Sequence, residues 1–371
     1  MLLCRCAAAE RAINMTKTGL VTFHFAHHYG AQLQAYALMR AIQNIGADCE
    51  VIDYRLPHTV KTSRLFQGGF SPVTILKNLH TLAYYAPLSL RDKRFRSFVA
   101  ENMNTGTKCY SCYQDLLDDP PNYDAYVCGS DQIWNPFIFE NRRFDPSFYL
   151  AFARGKPLVS YAPSFGEAEI PEEMYAELTD YLSTFSHISV REKRGADMIE
   201  KITGLEAQVT LDPTLLLSGS EWGKLARTDK QRKPYTLCYF ISDPGQLAPV
   251  AAGMGRQVVQ LAGTRRRVAG ADELVLNAGP QEFLGLFQNA GFVLTNSFHG
   301  TVFSILFNKP FICGAGGEHK RESRLGNLLG TLGLSSRLDV DMSPIDYTEA
   351  NRLLQDERGK SMAFLKMALG C

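Results

Sequence analysis

Several things are missing from this 371-residue chain. Neither charge is in excess: 39 Lys and Arg against 38 Asp and Glu leave a net charge of +1, which gives no long-range pull on nucleic acid or on an acidic partner. The one basic run, Arg265-Arg266-Arg267, is short and suits an exposed turn. The nine cysteines show no disulfide framework. Cys109 and Cys112 form a C-x-x-C pair, but no second pair and no histidine pair follows at zinc-ligand spacing. Cys49, Cys128, Cys238 and Cys313 lie in apolar runs, where a thiol behaves as a small hydrophobe. Reduced thiols, a cytoplasmic setting and no metal site are therefore expected. No run is fit to span a bilayer. The stretch between Glu282 and Lys309 has no charge, but Asn296, Ser297, His299 and Gly300 at its centre are costly at mid-bilayer. "MLLCRCAAAER" is too short and interrupted for a signal peptide, and neither internal repeats nor low-complexity segments are present.

What is present is a globular composition, 45% hydrophobic and 21% charged, with length enough for two domains. Apolar strand-like runs alternate with helical periodicity almost throughout, which predicts an α/β fold with largely parallel sheets. "GLVTFHF", "AQLQAYALMRAIQNIG" and "CEVID" read as one βαβ unit, with Ala35, Leu38, Ile42 and Ile45 on one helical face and Gly46 as the stop. Residues 1–18 are set apart as an N-terminal extension, of which 1–14 carry little structural weight. Residues 19–217 are predicted as a first Rossmann-like domain, with 56–118 as a mostly helical insertion. The polar stretch 218–233 reads as a linker and 234–345 as a second Rossmann-like domain. The amphipathic tail 346–371 is expected to pack back on the first domain. Two such halves imply a cleft between them, at the C-terminal edges of parallel strands.

Six strand exits carry candidate chemistry. The loop after the first strand holds His24, His27, His28, Tyr29 and Gly30. "YVCGSDQIWNP" puts Ser130, Asp131 and Gln132 straight after a strand, to meet a ligand or to cap a helix, and Trp134-Asn-Pro favours a binding loop. "SYAPSFG" offers Tyr161 and Ser164 as hydrogen-bond donors, with a structural turn as the alternative. "SVREKRG" gathers Arg191, Glu192, Lys193 and Arg194 where a strand meets a helix; cations there oppose the helix dipole unless an anion joins them. "LTNSFHG" sets His299 beside the first backbone donors of a helix, with Asn296, Ser297 and Gly300 around it. That placement suits a phosphate or a proton donor held next to one, against the alternative of a satisfied core histidine. "EHKRESR", Glu318 to Arg324, follows another glycine-rich exit and is able to supply cations to the same cleft or to form a surface loop.

Taken in order, "HYGAQLQAYALMRAI", "YDAYVCGSDQIWNP", "VSYAPSFG", "ISVREKRGADMI", "LDPTLLL" and "LTNSFHGTVFSILFNKPFI" resemble the polysaccharide pyruvyl transferase family over most of residues 19–315. The resemblance implies two Rossmann-like domains facing across a cleft, similar to the GT-B glycosyltransferases. It implies transfer of pyruvate from phosphoenolpyruvate to a sugar as a cyclic ketal, in the making of a cell-surface glycan such as exopolysaccharide or capsule. Arg191 then corresponds to the donor-binding arginine of the family's "VRE" motif, and His299 to the histidine of its hydrophobic-His-Gly motif, with Phe298 beside it. Where many members have Arg-Leu-His-Gly, this chain has Ser297-Phe298-His299-Gly300, so Lys193 or Lys320 is the candidate replacement cation.

The scheme assigns His299, Arg191 and Asp131 to catalysis. Phe298, Asn296, Ser297, Gly300, Lys193, Ser130, Gln132, Ser164, His28 and Tyr29 are assigned to substrate binding. It uses no metal and no cofactor beyond phosphoenolpyruvate as donor substrate. The partners implied are that donor and a saccharide acceptor; a lipid-linked acceptor would bring the protein to the inner face of the membrane, although no basic amphipathic helix is evident in the sequence. The alternatives are a GT-B-type glycosyltransferase using a nucleotide sugar, which would need to recognise a nucleobase and ribose, and a non-catalytic glycan-binding relative.

Overall fold

Apolar runs too short for helices become strands buried on both faces, the pattern of parallel sheets. The structure, a computed structural model, describes residues 16–69, 71–167, 169–262, 267–314 and 323–371. The first sheet contains β1 (Lys17–Val21), β2 (Asp48–Tyr54), β3 (Thr105–Tyr110), β4 (Ala125–Cys128), β5 (Leu158–Ser160), β6 (His187–Val190) and β7 (Gln208–Val209). Their order is β3-β2-β1-β4-β5-β6-β7. The second contains β8 (Tyr235–Tyr239), β9 (Gln257–Leu261), β10 (Glu273–Val275), β11 (Phe292–Thr295) and β12 (Phe311–Cys313), in the order β10-β9-β8-β11-β12. Neighbouring strands are parallel in both sheets. Each sheet winds outward from a central pair, β1 and β4 or β8 and β11, and the crevice of such a fold opens at that switch point. Register levels the exits: Val21 lies beside Cys128, and Thr295 beside Tyr239.

Helix α1 (Tyr29–Asn44) is capped by His28 and lays Leu33, Ala35, Leu38 and Ile42 into the core, all fully buried. It also joins the two domains. Tyr29 donates from its hydroxyl to Ala278 O (2.9 Å) and stacks on Phe283 with ring centroids 4.7 Å apart. Tyr29, expected to contact substrate, is thus a buried interdomain contact. A similar bridge starts in the stretch expected as a linker. It opens with the helix Gly219–Leu225, capped by Ser218 and Glu221, whose Trp222 packs edge-on to Phe303 at 5.2 Å. From the C-terminal helix Tyr347–Leu369, Ser361 Oγ accepts from Leu211 N (3.0 Å) and Arg358 donates to Leu215 O (2.7 Å).

Residues 56–118 hold α2 (Pro57–Thr62), α3 (Pro72–Ala83) and α4 (Tyr85–Asn102). They also hold β3, which pairs with β2 and edges the first sheet, so this segment is not wholly a helical insertion. Its sequence, "TGTKCY", is mostly polar because an edge strand is half solvated. Trp134 is another departure. It is fully buried, stacked on Tyr149 at 5.2 Å with its indole N–H donated to Phe148 O (3.1 Å), so it anchors its loop from below instead of lining it. Truncating such a side chain costs about 3–5 kcal/mol. Arg265, Arg266 and Lys320 lie outside the described residues. Among the described residues the cysteines are free, with Cys109 and Cys112 exposed, and no helix is long and apolar enough to cross a membrane.

Candidate functional site

The switch points of the two sheets face one another, and between them lies a cleft of about 720 Å³, well within the roughly 300–1,000 Å³ of small-molecule sites. His28, Asp131 and Gln132 enter it from the first domain, and Ser297, Phe298, His299 and Arg324 from the second.

The loop after β4 turns through Gly129, at φ 130°, and Asp131, at φ 67°. A Cβ on Gly129 would strike the Tyr161 carbonyl, so only glycine permits this approach. Ser130 is buried beneath the loop, donating from N to Gln34 Oε1 (2.9 Å) and from Oγ to Ala162 O (2.5 Å). Gln34 also donates to Thr22 Oγ1 (2.8 Å), stitching α1 to the exits of β1 and β4. Ser130 therefore positions Asp131 and does not itself reach the cleft. Ser164 is likewise internal. Its hydroxyl donates to Glu192 Oε1 (2.5 Å) and accepts from Gly166 N (2.9 Å). Tyr161 donates to Leu211 O (3.0 Å).

In the second domain, Asn296 holds the loop after β8, accepting from Ile241 N (2.8 Å) and donating to Ser242 Oγ (2.9 Å) and Asp243 O (3.2 Å). Ser297 caps the helix Phe298–Leu306 by accepting from Gly300 N (3.3 Å). With that end tied down, His299 in the first turn projects towards the first domain. Its ring lies so close to Gly30 that any Cβ there would collide with it.

The acid that meets His299 is Asp212, from "LDPT". Asp212 Oδ1 caps the turn after it, accepting from Thr214 N (3.0 Å) and Thr214 Oγ1 (2.5 Å). Oδ2 is left to accept from Arg191 Nη1 at 2.8 Å and to stand 3.7 Å from His299 Nε2. The remaining faces of Arg191 approach Asp131 (3.5 Å) and Glu192 (3.7 Å), and its guanidinium lies 4.9 Å from the Phe298 ring centroid. Arg191 is thus surrounded by three carboxylates and almost wholly buried behind the cleft wall. Three buried polar atoms here find no hydrogen-bond partner among the described residues: Arg191 Nε, Glu192 Oε2 and His299 Nε2. Buried polar groups are rarely left so outside functional sites.

Electrostatics divide the roles. Burial lowers the His299 imidazole to about 4, against the opposing pull of Asp212 and Asp131. Burial works against ionisation of Asp131, but Arg191, His299 and His28 outweigh it and hold that carboxyl below its usual range. Asp212 is lowered in the same way, with His299, Arg191 and the Thr214 hydrogen bond overcoming burial. Glu192, by contrast, is raised by burial.

His28, open to the cleft, is lowered by burial among its neighbours, and its Nδ1 accepts from Ala31 N (3.3 Å). That cap leaves the neutral ring's proton on Nε2, which makes His28 a donor towards the cleft.

Lys193 and Lys320 were the expected replacement cations. The described one, Lys193, is 74% exposed and paired with Asp197, away from the cleft. Arg194 is likewise turned outward, near Glu169. Among the described residues, the Lys or Arg that lines the cleft is Arg324, 6.0 Å from the Phe298 ring centroid. Burial, and then the charge of Arg191, lower the Arg324 guanidinium, against the opposing pull of Asp131, Glu192 and Glu167. His24 and His27 are structural: His24 bonds Asp53 (3.0 Å) and Thr22 O, and His27 packs on Phe95. No group of three His, Cys, Asp or Glu side chains among the described residues is arranged to hold a metal ion.

Fold and site together define a class: a protein of two Rossmann-type lobes facing across a cleft, with an ionisable cluster where the switch points meet. Comparison with known proteins is more specific. The family described as polysaccharide pyruvyl transferase matches residues 28–314, and the chain belongs to that family. Arg324 lies beyond the matched segment.

No curated protein sequence matches the chain. Among solved structures, an alpha-glucosyltransferase in complex with UDP and a 13-mer DNA is 8% identical, with a TM-score of 0.48 and 95% of each chain covered. The spinosyn rhamnosyltransferase SpnG is 12% identical, with a TM-score of 0.47 and coverage of 96% of this chain and 100% of that one. UDP-N-acetylglucosamine 2-epimerase from Rickettsia bellii is 10% identical, with a TM-score of 0.45 and coverage of 95% and 98%.

Proposed function

We propose that the protein transfers pyruvate from phosphoenolpyruvate to two hydroxyls of a saccharide, forming a cyclic ketal on a cell-surface glycan or its precursor. One observation carries the reading within this family. His299, with a buried nitrogen that has no hydrogen-bond partner among the described residues, and the guanidinium of Arg324 line the same cleft at the strand ends of both sheets.

The donor's methylene carbon must gain a proton before its neighbour accepts a hydroxyl oxygen. His299 is neutral in the free site, and an anion beside it favours the imidazolium. Donor binding thereby recruits its own acid. The proton passes from Nε2 to the methylene carbon, which becomes the methyl. The adjacent carbon, cationic in character, takes the first acceptor oxygen as Asp131 receives that hydroxyl's proton and His28 donates to the acceptor. The carbon–oxygen bond to phosphate then breaks, phosphate leaves with the electron pair, and the second hydroxyl closes the ketal. One hydroxyl proton replaces the one His299 gave, and the other leaves with phosphate. Arg324 contacts the donor's phosphate or carboxylate. Arg191, held by Asp212 and Asp131, is a positioning residue. No step uses a metal or a further cofactor. Because phosphoenolpyruvate is an intracellular metabolite, the reading places the protein in the cytoplasm, against the membrane if its acceptor is lipid-linked.

The test is a saccharide screen with phosphoenolpyruvate, read by phosphate release and by a mass gain on the glycan. Binding of a nucleotide sugar without binding of phosphoenolpyruvate would replace this reading with glycosyl transfer. Glycan binding with no turnover would leave a binding protein.

A further inference from the structure

Helix α3 is built with its amphipathic sense reversed. Thr74, Asn78 and Thr81 occupy the side turned to the protein. Asn78 exchanges two 2.9 Å hydrogen bonds with the Gln67 backbone, and Thr81 Oγ1 donates to Lys77 O (3.1 Å). The apolar residues point outward: Val73 is 63% exposed, Ile75 47%, Leu76 70%, Leu79 58% and Leu82 64%. Phe66 and Tyr85, also exposed, extend the patch as a stacked pair with centroids 6.1 Å apart. An apolar face of this kind, left in water, marks an interaction surface.

Its surroundings identify the partner. From Tyr54 to Arg91 there is no aspartate or glutamate, in a chain whose charges nearly cancel over its full length. Lys61, Arg64 and Lys77 are exposed around the patch. A twofold pairing of this face with a second copy would bring those cations against their own counterparts. An anionic bilayer surface satisfies both features, taking leucines among its acyl chains and lysines among its headgroups, with aromatic rings at the boundary. The patch also adjoins the cleft through the chain itself. Leu56, Pro57, His58 and Thr59, at the start of α2, form part of the cleft wall, continuous with Phe23, Ile138 and Phe139.

We infer that α3 is a membrane-docking helix that seats its Val73-to-Leu82 face in an anionic bilayer and brings the cleft mouth to the lipid surface. The inference uses no residue of the ionisable cluster and stands apart from the donor chemistry. The experiment is co-sedimentation of the full chain with phosphatidylcholine vesicles, with and without phosphatidylglycerol. The protein is expected to pellet with the anionic vesicles and to be released by high salt. Leu76→Glu with Leu79→Glu is expected to weaken binding by about tenfold or more, with circular dichroism and melting unchanged, since both side chains are exposed. Lys77→Glu should weaken it as well. Wild-type protein that stays in the supernatant at low salt, or a double variant that pellets as well as wild type, would overturn the inference. So would a dimer, seen by sedimentation velocity in the absence of vesicle binding, that the double variant splits.

Discussion

Asp212 of the first domain and His299 of the second stand 3.7 Å apart, Oδ2 to Nε2, across the domain boundary. The contact arises from a local rule. A residue before proline is held extended, and Asp212 caps the turn at Pro213 with Oδ1, which leaves Oδ2 for Arg191 and His299. One carboxylate therefore ties the guanidinium of one lobe to the imidazole of the other.

Asp212→Asn retains an oxygen for the cap but turns an amide towards Arg191. Loss of a preorganised charge of this kind lowers turnover by about 10²–10³, and breaking a buried pair costs about 3 kcal/mol or more in stability. Because Asp212 raises the His299 imidazole, that ring should titrate still lower in the variant. Phosphate release, denaturant unfolding and histidine NMR each read one of these outcomes.

The His299 shift has a defined pH signature. Its folded value of about 4 lies below the 6.5 of a free imidazole, so between those values the unfolded chain binds more protons than the folded one. Stability is therefore greatest above 6.5 and falls as the pH drops towards 4, with a contribution of about 3 kcal/mol across the window. His299→Gln should flatten that part of the profile, as measured by denaturant unfolding at a series of pH values.

Gly30→Ala separates helix formation from function. Alanine favours a helix by about 1 kcal/mol over glycine, yet its methyl would displace the His299 ring. The expected result is phosphate release reduced about 10²-fold in a chain whose circular dichroism still shows α1 formed.

Arg324→Lys keeps the charge and loses the planar fork. The KM for phosphoenolpyruvate should rise about tenfold with a smaller change in kcat, the pattern of a lost binding contact. Steady-state kinetics in both substrates decides it.

Much of the fold was legible because buried parallel strands are apolar throughout: "YVC" and "FVLT" read as β4 and β11, and Gly46 ended α1 as expected. His299 was legible because an imidazole in a long uncharged run is costly to bury unless a partner or a reaction holds it there. Asp212 was not assigned a role, since an aspartate before proline looks like a simple cap and both of its partners are remote in sequence. Arg191 was recognised, but sequence cannot show that three carboxylates surround it. Lys193 and Arg324 differ only in the direction their elements face, which tertiary packing decides. The apolar face of α3 escaped notice for a related reason: helical periodicity reports a stripe without reporting whether that stripe faces protein or solvent.

The most direct measurement is phosphate release from phosphoenolpyruvate in the presence of a saccharide acceptor, with wild type and His299→Gln side by side. The account predicts acceptor-dependent release by the wild type, a ketal on the recovered glycan, and a loss of about 10²-fold or more in the variant. Equal release by both proteins, or transfer from a nucleotide sugar with phosphoenolpyruvate untouched, would contradict it.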